Sequence, residues 1–379
     1  MSIQFQVLAC DALTDARLGY LDLQELAFND PVRGVSSLSG KAVLSPSQDR
    51  DKLNLLTQEE SVALYVLGAG LYWWEGVIKQ RTWDPIDRAW NVTAVGWKDW
   101  LDHRFIGPNI TTNPVTDVTY GYTSVDQLTI AQNVIGFATA GNGVPTIATS
   151  GETSGVLRDL NWLGSDFRSA YSLIDSMATR DNGFDWAIQA FTDGVTGLPK
   201  LRFAPFYPAR GGTGVSLVFH KTPNGGNIIV DQPIDFNTAD KRTRVWTTGK
   251  GTPPDRSMVY DEDPDVAAGI ALLSETTSNY SAESSVAKLG LNARAERRYR
   301  STRINSMTLR ALFADIDPTL YASGDRCQLI YVDEGVTLGY PAVRIVDRAI
   351  HVNNSDGADF AELLLDLADT ELPDNTAEV

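Results

Sequence analysis

Two runs decide how this chain folds: residues 71–83, Leu-Tyr-Trp-Trp-Glu-Gly-Val-Ile-Lys-Gln-Arg-Thr-Trp, and residues 94–106, Ala-Val-Gly-Trp-Lys-Asp-Trp-Leu-Asp-His-Arg-Phe-Ile. The first has the length and composition of a long strand. Asp84-Pro85-Ile86-Asp87 supplies a turn, after which Trp90, Val92 and Ala94 face one way while Asn91 and Thr93 face the other. A short helix over 98–103 closes the block. Six of the nine tryptophans (73, 74, 83, 90, 97 and 100) fall in these three adjacent elements. Aromatics at that density bury a large area, so the block reads as a packed aromatic core or a subunit interface.

Working outward, residues 61–68 carry apolar side chains on both faces, as a central strand does, and Ala69-Gly70 makes a tight turn into the tryptophan strand. Ile3, Phe5 and Val7 alternate with Ser2, Gln4 and Gln6 in a half-buried strand. Leu21 and Leu23 begin a second, with Leu26 and Phe28 following. Residues 29–51, rich in Ser, Gly and Pro, read as loop with one short strand at 41–44.

Between about 108 and 208 the pattern changes. Val125, Leu128, Ala131, Val134, Ile135 and Ala138 have helical spacing after Ser124, a good cap. Phe167, Ala170, Leu173, Ile174, Met177 and Ala178 repeat it after Ser165 and Asp166. Residues 184–191 and 201–207 then read as a hairpin, so this is an α+β module. Gly211-Gly212-Thr213-Gly214 marks a boundary. Strands follow at 216–220, 228–230 and 244–248, a loop-rich stretch at 250–281, a helix over about 282–298, and strands to the end, including 326–332, 343–352 and 360–367. No short-period repeat is visible, which argues against solenoids and propellers.

Composition bounds the function. Of 379 residues, 43% are hydrophobic and 21% charged, an ordinary globular balance with material for real cores. Net charge is −16, from 48 acidic and 32 basic side chains, so the chain repels phosphate backbones and a nucleic-acid-binding surface is not its main role. Cys10 and Cys327 make neither a disulfide framework nor a metal cluster, and read as small apolar residues in strands. The first ten residues lack the basic start and apolar run of a signal peptide, and nothing approaches the ~20 apolar residues of a membrane span. The chain is therefore expected to be made in the cytoplasm, which leaves the Asn-X-Ser/Thr matches at Asn91, Asn109, Asn279 and Asn353 without meaning.

A search for chemistry finds little. There is no Gly-X-Ser-X-Gly elbow, and His103, His220 and His351 are scattered through predicted helix and strand positions that suit packing better than base catalysis or zinc. Gly249-Lys250-Gly251-Thr252 lacks the spacing of a phosphate loop and reads as a turn. Asp261-Glu262-Asp263-Pro264-Asp265 resembles the start of a calcium loop, but the sixth position lacks Gly and the twelfth is Leu272 where Glu is required, so a solvated acidic loop is expected. Paired carboxylates beside exposed tryptophans could serve sugar binding or cleavage; the clustering of the tryptophans argues against it. No residue is singled out as catalytic, cofactor-binding or metal-ligating, and no cofactor is expected.

The tryptophan block resembles the minor tail proteins of long-tailed, siphovirus-type phages that infect actinobacteria. The positions that carry this are Trp74, Gly76, Val77, Gly96, Trp100, Leu101, Asp102, Arg104 and Phe105. The opening strands (3–8 and 21–28), the Ser/Gly loop at 34–40, the turn Ala322-Ser323-Gly324-Asp325-Arg326 and the strand Val343-Arg344-Ile345 are similar too; residues 108–208 are too generic to align. The resemblance implies a baseplate, or tail-tip, hub. Its fold would be mixed and β-rich (α+β), with two tube-like β-barrel domains and small inserted or flanking α+β domains. These would be a first barrel over 1–107, the α+β module over 108–212, a second barrel from 213–248 and 303–370 interrupted by a loop-helix insertion at 249–302, and a flexible acidic tail at 371–379. It further implies a homotrimer in the virion tail tip whose six barrels continue the hexameric tail tube. Its neighbours would be the distal tail protein, the tape-measure protein and tail-tip or fibre proteins, with genomic DNA passing transiently through a negative lumen that offers it no contacts. In this setting the chain is not an enzyme. The alternatives are a host cell-wall carbohydrate-binding or carbohydrate-cleaving tail protein, and a plain tail-tube or secretion-system spike component.

Overall fold

The structure, a computed structural model, describes all residues except 1–2, 45–49, 108–116, 181, 212–213, 231–234, 238–241, 253, 282, 302–303, 334–335, 353–358 and 367–379. The expected acidic tail lies outside the described residues.

The first unit contains β1 (Gln6–Asp11), β2 (Arg17–Leu21), β3 (Gln24–Asn29), β4 (Ser37–Val43), helix α1 (Arg50–Leu56), β5 (Val62–Gly68), β6 (Leu71–Asp84), β7 (Ala89–Gly96) and helix α2 (Trp97–Asp102). Its ladder runs β2-β1-β5-β6-β7-β4-β3. Only Asp22 and Leu23 separate β2 from β3, which brings the two ends of the ladder together without pairing them. The loop expected over 29–51 is more structured than its composition suggests. In β4 only Leu38 and Ala42 point inward, so the apolar signal is thin, and Gly40 packs where a Cβ would stand 3.1 Å from Leu23. In α1, Leu53 and Leu56 bury one side of a helix of seven residues, too short to show a period.

The α+β module holds β8 (Phe105–Ile106), β9 (Thr119–Asp126), α3 (Gln127–Ala138), β10 (Ile147–Ala148), β11 (Leu157–Leu163), β12 (Arg168–Ser169), α4 (Ala170–Ala178), β13 (Asp185–Thr192) and β14 (Pro199–Phe206). The expected hairpin is β13–β14, paired from Asp185↔Phe206 to Thr192↔Pro199. Both helix caps differ from expectation. Ser124 stands in β9 with φ +53°, and it is Asp126 whose carboxylate accepts from the amides of Leu128 and Thr129. The second helix begins at Ala170 under Ser169, because Phe167 takes a left-handed conformation that ends the preceding 3-10 turn. The antiparallel β9–β11 pair escaped the sequence reading.

The second unit starts with β15 (Val215–Thr222), β16 (Gly225–Gly226) and β17 (Asp235–Asn237). An insert follows: β18 (Arg244–Thr248), β19 (Met258–Glu262), α5 (Pro264–Ala267), β20 (Glu275–Asn279) and α6 (Val286–Ser301). The unit resumes with β21 (Ile304–Leu312), β22 (Arg326–Asp333), β23 (Val336–Val352) and β24 (Phe360–Asp366). The sequence pattern assigns β18 to the second barrel; the strand instead pairs with β19 and β20 in a separate three-stranded sheet under α6. Of the strand read at 228–230 only an isolated bridge, Ile229 to Arg310, is present.

Neighbour by neighbour, the second ladder is β16-β15-β22-β23-β24-β21-β17. Taken in chain order, these seven strands occupy the same places as β1 to β7. In each unit one long strand, β6 or β23, is shared between two partners and carries a register shift in both pairings. One polarity differs: β1 runs antiparallel to β5, whereas β15 runs parallel to β22. The units meet where β23 pairs with β3, from Ala349↔Asn29 to Val352↔Leu26, and this makes a single 14-stranded sheet.

Alternation along β1 and β5 explains the two cores. Val7, Ala9, Val62, Leu64 and Val66 face a core shared by both units. Leu8, Cys10, Ala63 and Tyr65 face a second core formed with α3, α4 and the β13–β14 hairpin. Strand β5 is apolar on both faces because both faces are covered.

Candidate functional site: a buried charge junction

The tryptophan block divides between the two cores. Trp73 and Trp74 lie in the shared core, 7% and 2% exposed, and Trp97 lies in the second at 3%, with Trp100 half-buried beside it. Trp83 and Trp90 meet edge to face, 5.2 Å apart, at the far end of the β6–β7 hairpin, with the Arg81 guanidinium 4.7 Å over Trp90.

The end of α2 and the residues flanking that helix bind the module to the first unit. Asp102 accepts a hydrogen bond from Ser169 Oγ (2.8 Å), the same hydroxyl that caps α4. The Arg104 guanidinium donates to the carbonyls of Ala138 (2.7 Å) and Ala140 (3.0 Å), closing the C-terminal end of α3, where a cation suits the helix dipole. Gly96 packs against Ser36, whose Oγ would be 2.1 Å from any Cβ. The Gly-Asp turn works in the same way on the other side: Gly324 and Gly211, both at positive φ, press backbone to backbone with no room for a Cβ on either.

Between these contacts lies a cluster of charges drawn from three parts of the chain. Asp30, just past β3, takes both arms of the Arg210 guanidinium, one at 3.0 Å. The Arg210 amide donates to Asp185 at the start of β13 (2.8 Å), and Asp185 is also paired with Arg344 of β23. Arg348, four residues on, donates to the Tyr321 carbonyl (2.5 Å) and stands 4.7 Å over the Trp73 ring. Lys98 of α2 reaches the Val32 carbonyl at 3.4 Å and stacks 4.6 Å from Trp186. Glu75 of β6 completes the cluster. Charges this far from water persist only when paired and hydrogen-bonded, so the cluster sets the relative position of both units and the module.

Its electrostatics follow from that burial. Desolvation would raise Asp30, but the charge and hydrogen bonds of Arg210, aided by Arg348 and Lys98, hold its carboxyl below the ordinary range. Burial, with the Asp30 charge behind it, pushes Glu75 from 4.5 up to about 8. Burial also pulls Lys98 from 10.5 down to about 8, against the attraction of Asp30. A carboxyl with a raised folded pKa holds a proton that the unfolded chain has released, so stability falls with rising pH between about 4.5 and 8. Lys98 reverses the sign: between about 8 and 10.5 the unfolded chain binds the extra proton and stability rises with pH. Comparing denaturant unfolding of the wild type with Glu75→Gln between pH 5 and 8 isolates the first contribution: the variant should lose a fall of up to about 5 kcal/mol across that range. A Gln variant whose pH profile parallels the wild type would contradict this.

Other residues weighed from the sequence find structural places. Cys10 and Cys327 are buried in β1 and β22, each thiol raised by burial to about 12. His103 ends α2, His220 lies in β15, and His351 stacks on Phe360 in the β23–β24 pair. The acidic run is not a solvated loop. Asp261 pairs with Arg297, Glu262 with Arg244, and Asp263 caps α5. Among the described residues no group of three or more metal-ligating side chains occurs. The charge cluster itself was missed. Its only trace in the sequence is a charge placed inside an apolar run: Glu75 after Trp73-Trp74, Lys98 after Trp97, and Arg348 within β23.

No family model matches the sequence, and no curated protein matches it either. Solved structures do. The 43 kDa tail protein of prophage MuSo2 from Shewanella oneidensis is similar over 96% of this chain and 100% of its own, at TM-score 0.60 and 11% identity. The prophage tail protein gp18 from Listeria monocytogenes EGD-e is similar over 95% and 94%, at TM-score 0.56 and 13% identity. The chain has a phage tail-protein fold. A tail protein from Neisseria meningitidis MC58 shows the same tail-protein fold over 95% of this chain and 96% of its own, at TM-score 0.58 and 12% identity. Within that fold, the charge junction lies where two seven-stranded units and a module meet.

Proposed function

We propose that the chain is a structural tail-tip (baseplate) hub of a siphovirus-type virion, without chemistry of its own. The observation that carries this reading is the repeated strand order: one chain holds two seven-stranded units joined edge to edge through β23 and β3. Three copies then supply six such units, enough to continue a hexameric tail tube as a ring. The distal tail protein, the tape-measure protein and tail-tip or fibre proteins are the expected neighbours on its faces and in its bore. An acidic balance of −16 suits a conduit past which DNA moves without adhering. The burial of Trp73, Trp74 and Trp97 supports the hub over a sugar-processing protein, because the tryptophan block is used for packing.

The test is mass and symmetry. Light scattering on purified protein at tens of micromolar, or electron microscopy of the particle, should give three 41.4 kDa copies around one axis. A persistent monomer that is also absent from virions would sink the proposal.

A further inference from the structure

At the far end of the β6–β7 hairpin lies a cavity of about 440 Å³, within the size range of ligand sites. Trp83, Trp90, Leu44 and Leu53 give it apolar walls. The Trp90 wall is fixed from its own side. Its Nε1 donates to Asn54 Oδ1 (3.1 Å), and Arg81, stacked over the indole, donates to the Asn54 carbonyl (3.0 Å), Thr57 Oγ1 (3.1 Å) and Glu59 (3.0 Å). Trp83, edge to face with Trp90, is left 39% exposed. Rings ordered in advance lose little entropy when a ligand is laid on them.

Two guanidinia complete the cavity: Arg50 at the start of α1 and Arg88 in the hairpin turn. Both are exposed, and among the described residues neither forms an ion pair. The carboxylates of the turn are engaged elsewhere. Asp84 accepts from the amides of Ile86 and Asp87, and Asp87 pairs with Lys41. Arg81 is matched by Glu59 and adds nothing to the balance. Among the described residues no carboxylate lines the cavity. A chain of net charge −16 therefore keeps two unmatched positive charges beside an indole pair.

We infer that this cavity receives residues 371–374, Glu-Leu-Pro-Asp, from the tail of a second copy of the chain. The tail lies outside the described residues; over 367–379 its sequence has four acidic side chains and no basic one. Leu372 and Pro373 supply apolar surface for the indoles, and Glu371 and Asp374 supply one carboxylate for each guanidinium. Proline-containing segments dock on aromatic-lined grooves, and arginine takes carboxylates in a two-pronged hydrogen bond. Reach excludes the chain's own tail. Asp366 pairs with Arg344, which is held to the module through Asp185. Through the pairs Ala349↔Asn29 and Phe28↔Leu38, about a dozen strand residues, roughly 40 Å, separate that level from Leu44. The link from Asp366 to Glu371 spans at most about 18 Å. The inference concerns how copies meet and does not depend on their number or their place in a virion.

The experiment is fluorescence anisotropy of labelled peptides spanning 367–379, titrated with two full-length receptors whose own tails do not compete. The first receptor carries Glu371→Lys and Asp374→Lys; the second carries Arg50→Glu and Arg88→Glu. The natural peptide should bind the first and bind the second about tenfold or more weakly. A peptide with Glu371→Lys and Asp374→Lys should show the reverse preference, which a merely misfolded second receptor could not produce. Both arginines are exposed, so the reversals leave the cores untouched. A chain with Arg88→Cys and Asp374→Cys, once oxidised, should run as covalent dimers or larger species on a non-reducing gel; Cys10 and Cys327 are buried. Failure of the natural peptide to bind the first receptor overturns the inference. So does equal binding of a scrambled peptide of the same composition, or a link formed within one chain. Peptide binding by a chain that forms no trimer would sink the hub reading alone, and a trimer that binds no peptide would sink this one alone.

Discussion

Arg210→Ala should be among the most damaging single substitutions in the chain, lowering the unfolding free energy by about 3–5 kcal/mol. The guanidinium is 11% exposed and the Asp30 carboxylate 25%. Truncation leaves that carboxylate without its hydrogen-bonded cation in a site water reaches poorly, with only the smaller charge contributions of Arg348 and Lys98 left. Removing both members of a buried pair costs less than removing one, because no orphan charge remains. Asp30→Leu combined with Arg210→Met should therefore recover at least half of the loss. Denaturant melts of the two variants test this. A double variant as unstable as Arg210→Ala would mean that Arg210 matters for its shape, or through its amide contact to Asp185, more than for its charge.

Gly76→Ala should be worse, yielding insoluble protein or a loss above about 4 kcal/mol. An added Cβ would stand 2.1 Å from the Val95 carbonyl oxygen and 2.5 Å from the Trp74 ring. The first is backbone in the paired strand β7, where Gly76 faces Gly96, so no side-chain rotation relieves it. Gly70→Ala is the control. That glycine sits at φ +78° with nothing within 4 Å of a Cβ, and only the left-handed strain of about 1 kcal/mol applies. Soluble yield and thermal melting of the two variants decide it: equal behaviour would show that the sheet can open at Gly76.

The sequence was most legible where burial is two-sided or periodic. The apolar run of β5, the alternation in β7, the helical spacing of α3 and α4 and the β13–β14 hairpin all follow from local pattern, since local pattern and tertiary burial agree there. It was least legible where few residues carry the signal. Strand β4 buries only Leu38 and Ala42, and the acidic run 261–265 finds its partners Arg244 and Arg297 far along the chain. Strand β18 shows why domain ends are hard to place: it has a sound strand pattern, but nothing in five residues says which sheet it joins. The charge junction leaves only lone charges in apolar runs as a trace, because Asp30, Glu75, Lys98, Asp185, Arg210, Arg344 and Arg348 converge only after folding. The second unit's likeness to the first is equally hidden, being a likeness of strand order without a shared residue pattern.

Strand β5 stands between two cores, and that has a consequence for assembly errors. Slipping it by one residue would put Tyr65 into the space of Leu64 or Val66 and send a leucine or valine to the place of the tyrosine. Both errors would appear together, one as overpacking and one as a void. The strand is thus proofread from two sides, and the first unit cannot settle in a wrong register while the module remains docked.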